Sequence, residues 1–444
     1  MLVGGALSGA QVRDIRLANE FVHRGYPVHV WWAMDRQNKS ALDPAISQRW
    51  LFNAGRYGGW LRNAAADDFA GQWITRLTSD RWRDRLVQRF PAILDRQLAG
   101  LIRAVCAGIY HDKRLIRRFA AELSQSQVTH LLPNLECLAP FAAAAQPHVT
   151  HALSYLITFQ GYELYAGYAR DAAELEALYA RLAQAVDQSD RPAIAVSDAY
   201  GARIRAEVGI PEGNLTTIPA GVPVGKPMDK SQALMLVRAK FPEYQPEIPL
   251  VSFVGRRDSE KGLDLLLYAA RILQSRQAPM QLAICGPTAF GSQYVEACRQ
   301  IAWNMRLPVL WSDFVSDELR SALFRTSRVV VYPSIHEEPF GMVPVEAMAQ
   351  GTPALVSDTG GVADLIFAAD RQGGLRFRSW DSGDLALQIE RLLTDGALHE
   401  RLAADAPHVA EHFSVARMGE RVLDHLRLPH RNEAPNAAQR DETN

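Results

Sequence analysis

The chain has 444 residues, too many for one ordinary domain and suited to two. Hydrophobic residues make up 48% and charged residues 22%, which excludes a chain that is disordered over most of its length. A formal net charge of -1 excludes any overall electrostatic pull towards nucleic acid.

Four cysteines, Cys106, Cys137, Cys285 and Cys298, stand apart without a C-x-x-C pair, so neither a zinc site nor a redox motif is predicted. No apolar run approaches the roughly 20 residues that span a bilayer. The N-terminus lacks a basic region followed by an apolar stretch, so a cytoplasmic location is expected.

Along the chain, short β-branched apolar runs alternate with longer amphipathic stretches, the pattern of parallel sheets covered by helices. Strands are predicted at 1–3, 28–32, 128–132, 156–159, 193–196 and 216–219, with helices between them at 11–24 and 198–208. The first strand is short beside the usual five or six residues, which predicts a missing upstream segment, a weakened edge of the sheet being the alternative.

Residues 51–120 carry 13 Arg or Lys against 6 Asp, with Trp60, Trp73 and Trp82 among them. Such basic amphipathic helices can lie on an anionic membrane surface; solvated helices packing their aromatic side inward are the alternative. The clusters concerned are Arg81, Arg83, Arg85 and Arg89 beside Trp82 and Phe90, and Lys113, Arg114, Arg117 and Arg118.

Gly and Pro break regular structure at 221–228. A second series of strands then follows at 250–254, 281–285, 309–312, 329–332 and 354–357. The expected organisation is an α/β chain of two Rossmann-like domains facing a central cleft, where open α/β sheets bind ligands at the carboxyl ends of their strands. They are an acceptor-side domain at 1–224, with a C-terminal helix at about 410–427 packing back on it, and a donor domain at 228–408. Residues 428–444 form a polar tail.

The residues that carry chemistry cluster after two strands of the second series. Glu338 and Glu346 flank Phe340 and Gly341, with Pro344 early in a helix that ends by Gly351, the usual placing of Pro and Gly at helix ends. Amides near Gly341, Met342 and Val343 can hold a phosphate at the helix N-terminus. The two carboxylates suit a polyhydroxy ligand. Arg256 and Lys261, just past the strand 250–254, can neutralise a pyrophosphate at roughly 1.5 to 3 kcal/mol per charge-assisted hydrogen bond. Ordinary ion pairing in a solvated loop is the alternative.

In the first half, the turn 4–11 is not G-x-G-x-x-G, which argues against a dinucleotide-dependent dehydrogenase. Gly9 is its best-placed glycine for a close approach to phosphate, a tight turn being the alternative.

Val254-Gly255-Arg256 with Lys261-Gly262, Pro333-Ser334, Glu338-Pro339-Phe340-Gly341, Glu346-Ala347-Met348-Ala349, Gly351-Thr352-Pro353 and Gly360-Gly361 together resemble family 4 of the retaining glycosyltransferases, which have the GT-B fold. The resemblance is strong over about 250–370. It is fainter before 230, where Ser8-Gly9-Ala10-Gln11, Ile194-Ala195-Val196-Ser197 and Ile218-Pro219-Ala220-Gly221 match.

By that resemblance Arg256 and Lys261 would hold the diphosphate, Glu338 the donor sugar, Glu346 the ribose, and the Gly341 and Met342 amides the sugar or phosphate. It implies transfer of a hexose from a nucleotide-diphosphate sugar to a glycan, lipid-linked or small polyhydroxy acceptor, with retention and with neither metal nor cofactor. The sequence departs from the family at Gln160-Gly161, where many members have His-Gly. Gln does not titrate near neutrality and cannot serve as general base. Gln160, Gly161 and Tyr162 are the acceptor-side candidates. A catalytically silent nucleotide-sugar-binding or partner subunit is the competing class.

Overall fold

A computed structural model describes residues 1–3, 9–32, 41–51, 112–133, 136–161, 171–288 and 292–430. Two compact units divide the chain: Met1–Gly221 with the segment from Val415 onward, and Val222–Ser414.

Among the described residues of the first unit the strand pairings are parallel and the strands are short. β1 (Leu2–Val3), β2 (His29–Trp32) and β3 (Ser47–Trp50) form one three-stranded sheet in that order. β4 (His130–Leu131) pairs β5 (Ser154–Tyr155). β6 (Thr158–Phe159), β7 (Ala193–Ala195) and β8 (Leu215–Thr217) make another sheet. The sequence predicts single strands at 128–132 and 156–159. The structure pairs only two residues at the first and splits the second between Ser154–Tyr155 and Thr158–Phe159.

The helix Gly9–His23 buries Ile15, Leu17, Ala18 and Phe21 against the first sheet's core. The C-terminal helix Val415–Leu426 joins that core through Met418, Val422, Leu423 and Leu426, an apolar stripe at helical spacing. Arg24 ties the two helices together, bonding Glu20 and, at 3.3 Å, Glu420.

The second unit is more regular. β9 (Leu250–Val254), β10 (Gln281–Cys285), β11 (Val309–Ser312), β12 (Val329–Tyr332), β13 (Ala354–Ser357) and β16 (Gly374–Phe377) form a six-stranded parallel sheet in the order β11-β10-β9-β12-β13-β16. The short hairpin β14 (Phe367–Ala368) and β15 (Arg371–Gln372) precedes the last strand.

Counted from β9, this is the doubly wound order 3-2-1-4-5-6, in which strand order reverses between β9 and β12. All five residues of β9 and of β10 are buried, because helices cover both faces of a parallel sheet. The helix Leu263–Ser275 contributes Leu263, Leu266, Leu267, Ala270 and Leu273 to this core.

The reversal point is where open α/β sheets bind ligands, and here the loops after β9 and β12 come together. Gly262 holds those loops together. It adopts a left-handed conformation (φ +61°), and a Cβ at this position would lie 2.1 Å from the Pro333 carbonyl oxygen. Gly262→Ala is therefore expected to destabilise the protein by about 2–4 kcal/mol, while Gly225→Ala, which meets nothing within 4 Å, should be nearly silent; thermal denaturation of the two variants checks the contrast.

Candidate active site

Lys261 ends a short 3₁₀ turn, Ser259–Lys261, immediately before the helix Leu263–Ser275. Glu338 lies in the loop between β12 and the helix Met342–Ala349. Both are 8% exposed, and the Lys261 ammonium donates to Glu338 Oε1 across the reversal point. Lys261 Nζ also donates to Tyr332 Oη at 3.2 Å, and Ser334 Oγ donates to the same Glu338 oxygen at 2.7 Å. Oε1 therefore takes both protein hydrogen bonds, and Glu338 Oε2 has acceptor capacity for a ligand. Gly360 backs this loop: a Cβ there would stand 2.7 Å from the Glu338 nitrogen.

Burial raises a carboxyl pKa, but Lys261 and the Ser334 hydroxyl outweigh it and hold Glu338 below its ordinary value of 4.5. For Lys261 burial acts downward, yet Tyr332 and Glu338 together hold its pKa above the usual 10.5. Burial pushes the Tyr332 phenol up to about 12, so it stays neutral.

Arg256 points into solvent more than Lys261 does, with a 34% exposed side chain. Its Nη1 is 2.7 Å from Asp258 Oδ2 and its Nη2 is 3.6 Å from Glu260 Oε2. Burial raises the Asp258 pKa, with the charges of Arg256 and Lys261 opposing it.

Gly341 caps the helix Met342–Ala349 without a side-chain hydrogen bond at that end. Pro344 fits the first turn because its missing N–H is not needed there. Phe340 is buried and packs edge-on against Phe413, ring centres 5.8 Å apart, so its side chain serves the unit's core. Glu346 lies on the same helix with an 11% exposed side chain, and Arg320 Nε is 3.3 Å from its Oε2.

The structure thus groups Lys261 with Glu338 directly and places Arg256 in the same loop as Lys261. Sequence reasoning assigned no part to Tyr332, Ser334 or Arg320. Only the Pro333-Ser334 motif hinted at one of them.

In the first unit Gln160 follows β6, and its Nε2 donates to Asp14 Oδ2 at 3.1 Å. Asp14 is buried beside Arg13, Nη1 to Oδ1 2.7 Å. Burial raises the Asp14 pKa, against the opposing effects of Arg13 and Gln160. Gly161 follows at φ +156°. Gly9 is the first, exposed residue of its helix. Tyr162 and the aromatic-basic cluster around Trp82 lie outside the described residues. The helix Lys113–Gln125 is described: Lys113, Arg114, Arg117 and Arg118 are exposed, while Leu115, Ile116 and Phe119 are buried.

Among the described residues no helix is long and apolar enough to cross a membrane. No group of three or more His, Cys, Asp or Glu is placed to hold a metal ion among them.

Residues 239–409 match the family described as Glycosyl transferases group 1. An uncharacterized glycosyltransferase of Methanocaldococcus jannaschii is 31% identical over 163 residues, 36% of this chain and 40% of that protein. A D-inositol 3-phosphate glycosyltransferase of Nocardia farcinica is 32% identical over 231 residues, 51% of this chain and 48% of that protein. The chain spans about half the length of the curated relatives it matches.

Among solved structures, Anabaena Alr3699/HepE in complex with UDP superposes with a TM-score of 0.69 at 17% identity, covering 96% of this chain and 98% of that one. Sucrose-phosphate synthase of Thermosynechococcus elongatus gives 0.68 at 18% identity, covering 96% and 94%. The fold is GT-B, built of two Rossmann-like units.

The directions of the two shifts set the pH window of the Lys261–Glu338 pair. A depressed Glu338 contributes stability above pH 4.5 that is lost as pH falls through its folded value. A raised Lys261 contributes below pH 10.5 and loses its share as pH climbs through its folded value. The melting-temperature difference between wild type and Glu338→Gln is therefore expected to hold constant through neutrality and to shrink below about pH 4.5, as read in a series of melts at different pH.

Proposed function

We propose that the protein is a glycosyltransferase that moves a hexose from a nucleotide-diphosphate sugar to a glycan, lipid-linked or small polyhydroxy acceptor, retaining the anomeric configuration. The observation that carries this reading is the buried Lys261–Glu338 pair at the reversal point of the second unit's sheet. A buried ion pair is a poor route to stability, because apolar side chains of similar volume often do as well or better. Its place in the crevice of an open α/β sheet accords instead with ligand binding.

Each group then has a part. Lys261 has three N–H donors, two of them turned to Glu338 and Tyr332, and the third serves a phosphate oxygen. Arg256 joins it from the more exposed side of the loop. As the bond from the sugar's anomeric carbon to the diphosphate oxygen breaks, these two cations stabilise the charge that gathers on the leaving group, the kind of electrostatic term that is usually largest in catalysis. The resemblance assigns that work to no metal.

Glu338 Oε2 accepts from donor-sugar hydroxyls, and Glu346, steadied by Arg320, accepts from the ribose. The complexes of Alr3699/HepE with UDP and with UDP-glucose support a nucleotide sugar as donor.

On the acceptor side Gln160 takes no proton. The acceptor hydroxyl attacks the anomeric carbon on the face the diphosphate leaves, and its proton passes to the departing phosphate oxygen. Where the acceptor is lipid-linked, the exposed cations of Lys113–Gln125 belong to the basic stretch that would meet an anionic membrane from the cytoplasmic side.

Lys261→Ala is expected to remove donor hydrolysis and transfer, with kcat/KM down by about 100-fold or more. Glu338→Ala should weaken the intact nucleotide sugar more than the free nucleoside diphosphate, and Glu346→Ala should weaken both alike; calorimetric titrations with the two ligands separate these outcomes, and equal losses for both ligands in both variants contradict the division.

A further inference from the structure

The turn after the last strand of the second unit's sheet holds a residue that its backbone does not favour. β16 ends at Phe377, and three residues later Trp380 adopts a left-handed conformation, φ +65°. A Cβ crowds the backbone there, so glycine or asparagine is the usual occupant. Six described non-glycine residues have positive φ, and Trp380 is the one aromatic among them.

Packing does not account for the choice. Trp380 is 67% exposed, so little of its indole leaves water to offset the strained backbone. The turn is instead held in shape from two sides. Ser379 N–H donates to Asp358 Oδ1 at 2.9 Å, and the Ser379 and Thr359 hydroxyls are 2.9 Å apart, which ties the turn to the loop after β13. On the other side Arg378 N–H donates to Asp384 Oδ2 at 2.6 Å, and Asp381 caps the helix Ser382–Thr394. A strained residue fixed by its surroundings with its ring in solvent points to function.

Its position and chemistry indicate which function. The loop after β13 runs into Gly360, which backs Glu338, and Gly361 N–H donates to the Glu338 carbonyl at 2.7 Å. Only β13 separates β12 from β16, so the loops after those two strands leave the same carboxyl edge about 10 Å apart. The ring thus stands a short way along that edge from the carboxylate assigned to the donor sugar. A flat apolar face beside the hydroxyls of Ser379 and Thr359 and the exposed Asp358 and Arg378 suits a sugar ring, which has C–H groups on its face and hydroxyls around its rim. Local charge disfavours an anionic bilayer as the ring's partner. Three carboxylates, Asp358, Asp381 and Asp384, belong to the turn or bond to it, against one cation within it, Arg378.

We propose that Trp380 is a stacking platform for a sugar residue of the acceptor, at least one residue removed from the reacting hydroxyl. The acceptor is then a glycan of two or more sugars. The inference rests on the glycosyl transfer proposed above and narrows its acceptor.

An array of immobilised mono- and oligosaccharides, probed with the full chain through an affinity tag, tests it. The wild type is expected to be retained on at least one oligosaccharide and not on its constituent monosaccharides. Trp380→Gly should lose that signal, binding the same oligosaccharide about tenfold or more weakly in titration, while Trp380→Phe keeps it. Because glycine suits the left-handed backbone, Trp380→Gly should melt no lower than the wild type, whereas removal of a packed indole would lower the melting temperature. Its stabilisation by nucleotide sugars should equal that of the wild type.

No oligosaccharide retained by the wild type, equal retention of Trp380→Gly, or a lower melting temperature for that variant overturns the platform. Binding to phosphatidylglycerol vesicles that disappears in Trp380→Gly, with the array signal unchanged, assigns the ring to a membrane and overturns it too. A wild type whose melting is indifferent to every nucleotide sugar overturns the donor site, an outcome read separately from the array.

Discussion

Two opposite charges brought out of water at the reversal point of a parallel sheet set the terms for the second unit. Neither Lys261 nor Glu338 can be buried alone, since an isolated charge in that setting would have to neutralise or find water. Their loops must therefore meet at hydrogen-bond distance, and the surrounding sequence serves that requirement. β9 and β12 lie side by side, so the loops leave the sheet from adjacent strand ends. Gly262 lets the Lys261 loop pass under the Pro333 carbonyl, and Gly360 lets another segment close behind Glu338. Ser334 and Tyr332 complete the polar shell. A pair held this tightly would leave little to rearrange on binding the proposed anionic, polyhydroxy ligand.

The strands of the second unit at 250–254, 281–285, 309–312, 329–332 and 354–357 were legible to the residue, because a strand buried on both faces, as all of these but the edge strand 309–312 are, leaves a largely apolar run between turn residues. Gly374–Phe377 escaped because Gly and Arg interrupt its apolar character. Ser47–Trp50, with its Ser, Gln and Arg, carries no such signal either. In the first unit, pairings of two or three residues are too short for any periodicity to register.

The site shows a similar division. Arg256, Lys261, Glu338 and Glu346 stand at spacings tied to local loop and helix geometry, which a sequence displays. Arg320 meeting Glu346 and Tyr332 meeting Lys261 depend on which loops converge after folding. Gln160 is a further case: the sequence reveals a group that cannot titrate, and the structure adds that it is hydrogen-bonded to a buried Asp14.

Thermal denaturation of the purified chain with UDP-, GDP- and ADP-sugars tests most directly whether the loops around Lys261 and Glu338 hold a nucleotide sugar. At about 100 times its dissociation constant a cognate donor stabilises the folded state by about 2.7 kcal/mol, an unmistakable rise in melting temperature. That rise is expected for at least one nucleotide sugar in the wild type and is expected to disappear in Lys261→Ala. No rise with any of them, or an undiminished rise in the variant, would contradict it.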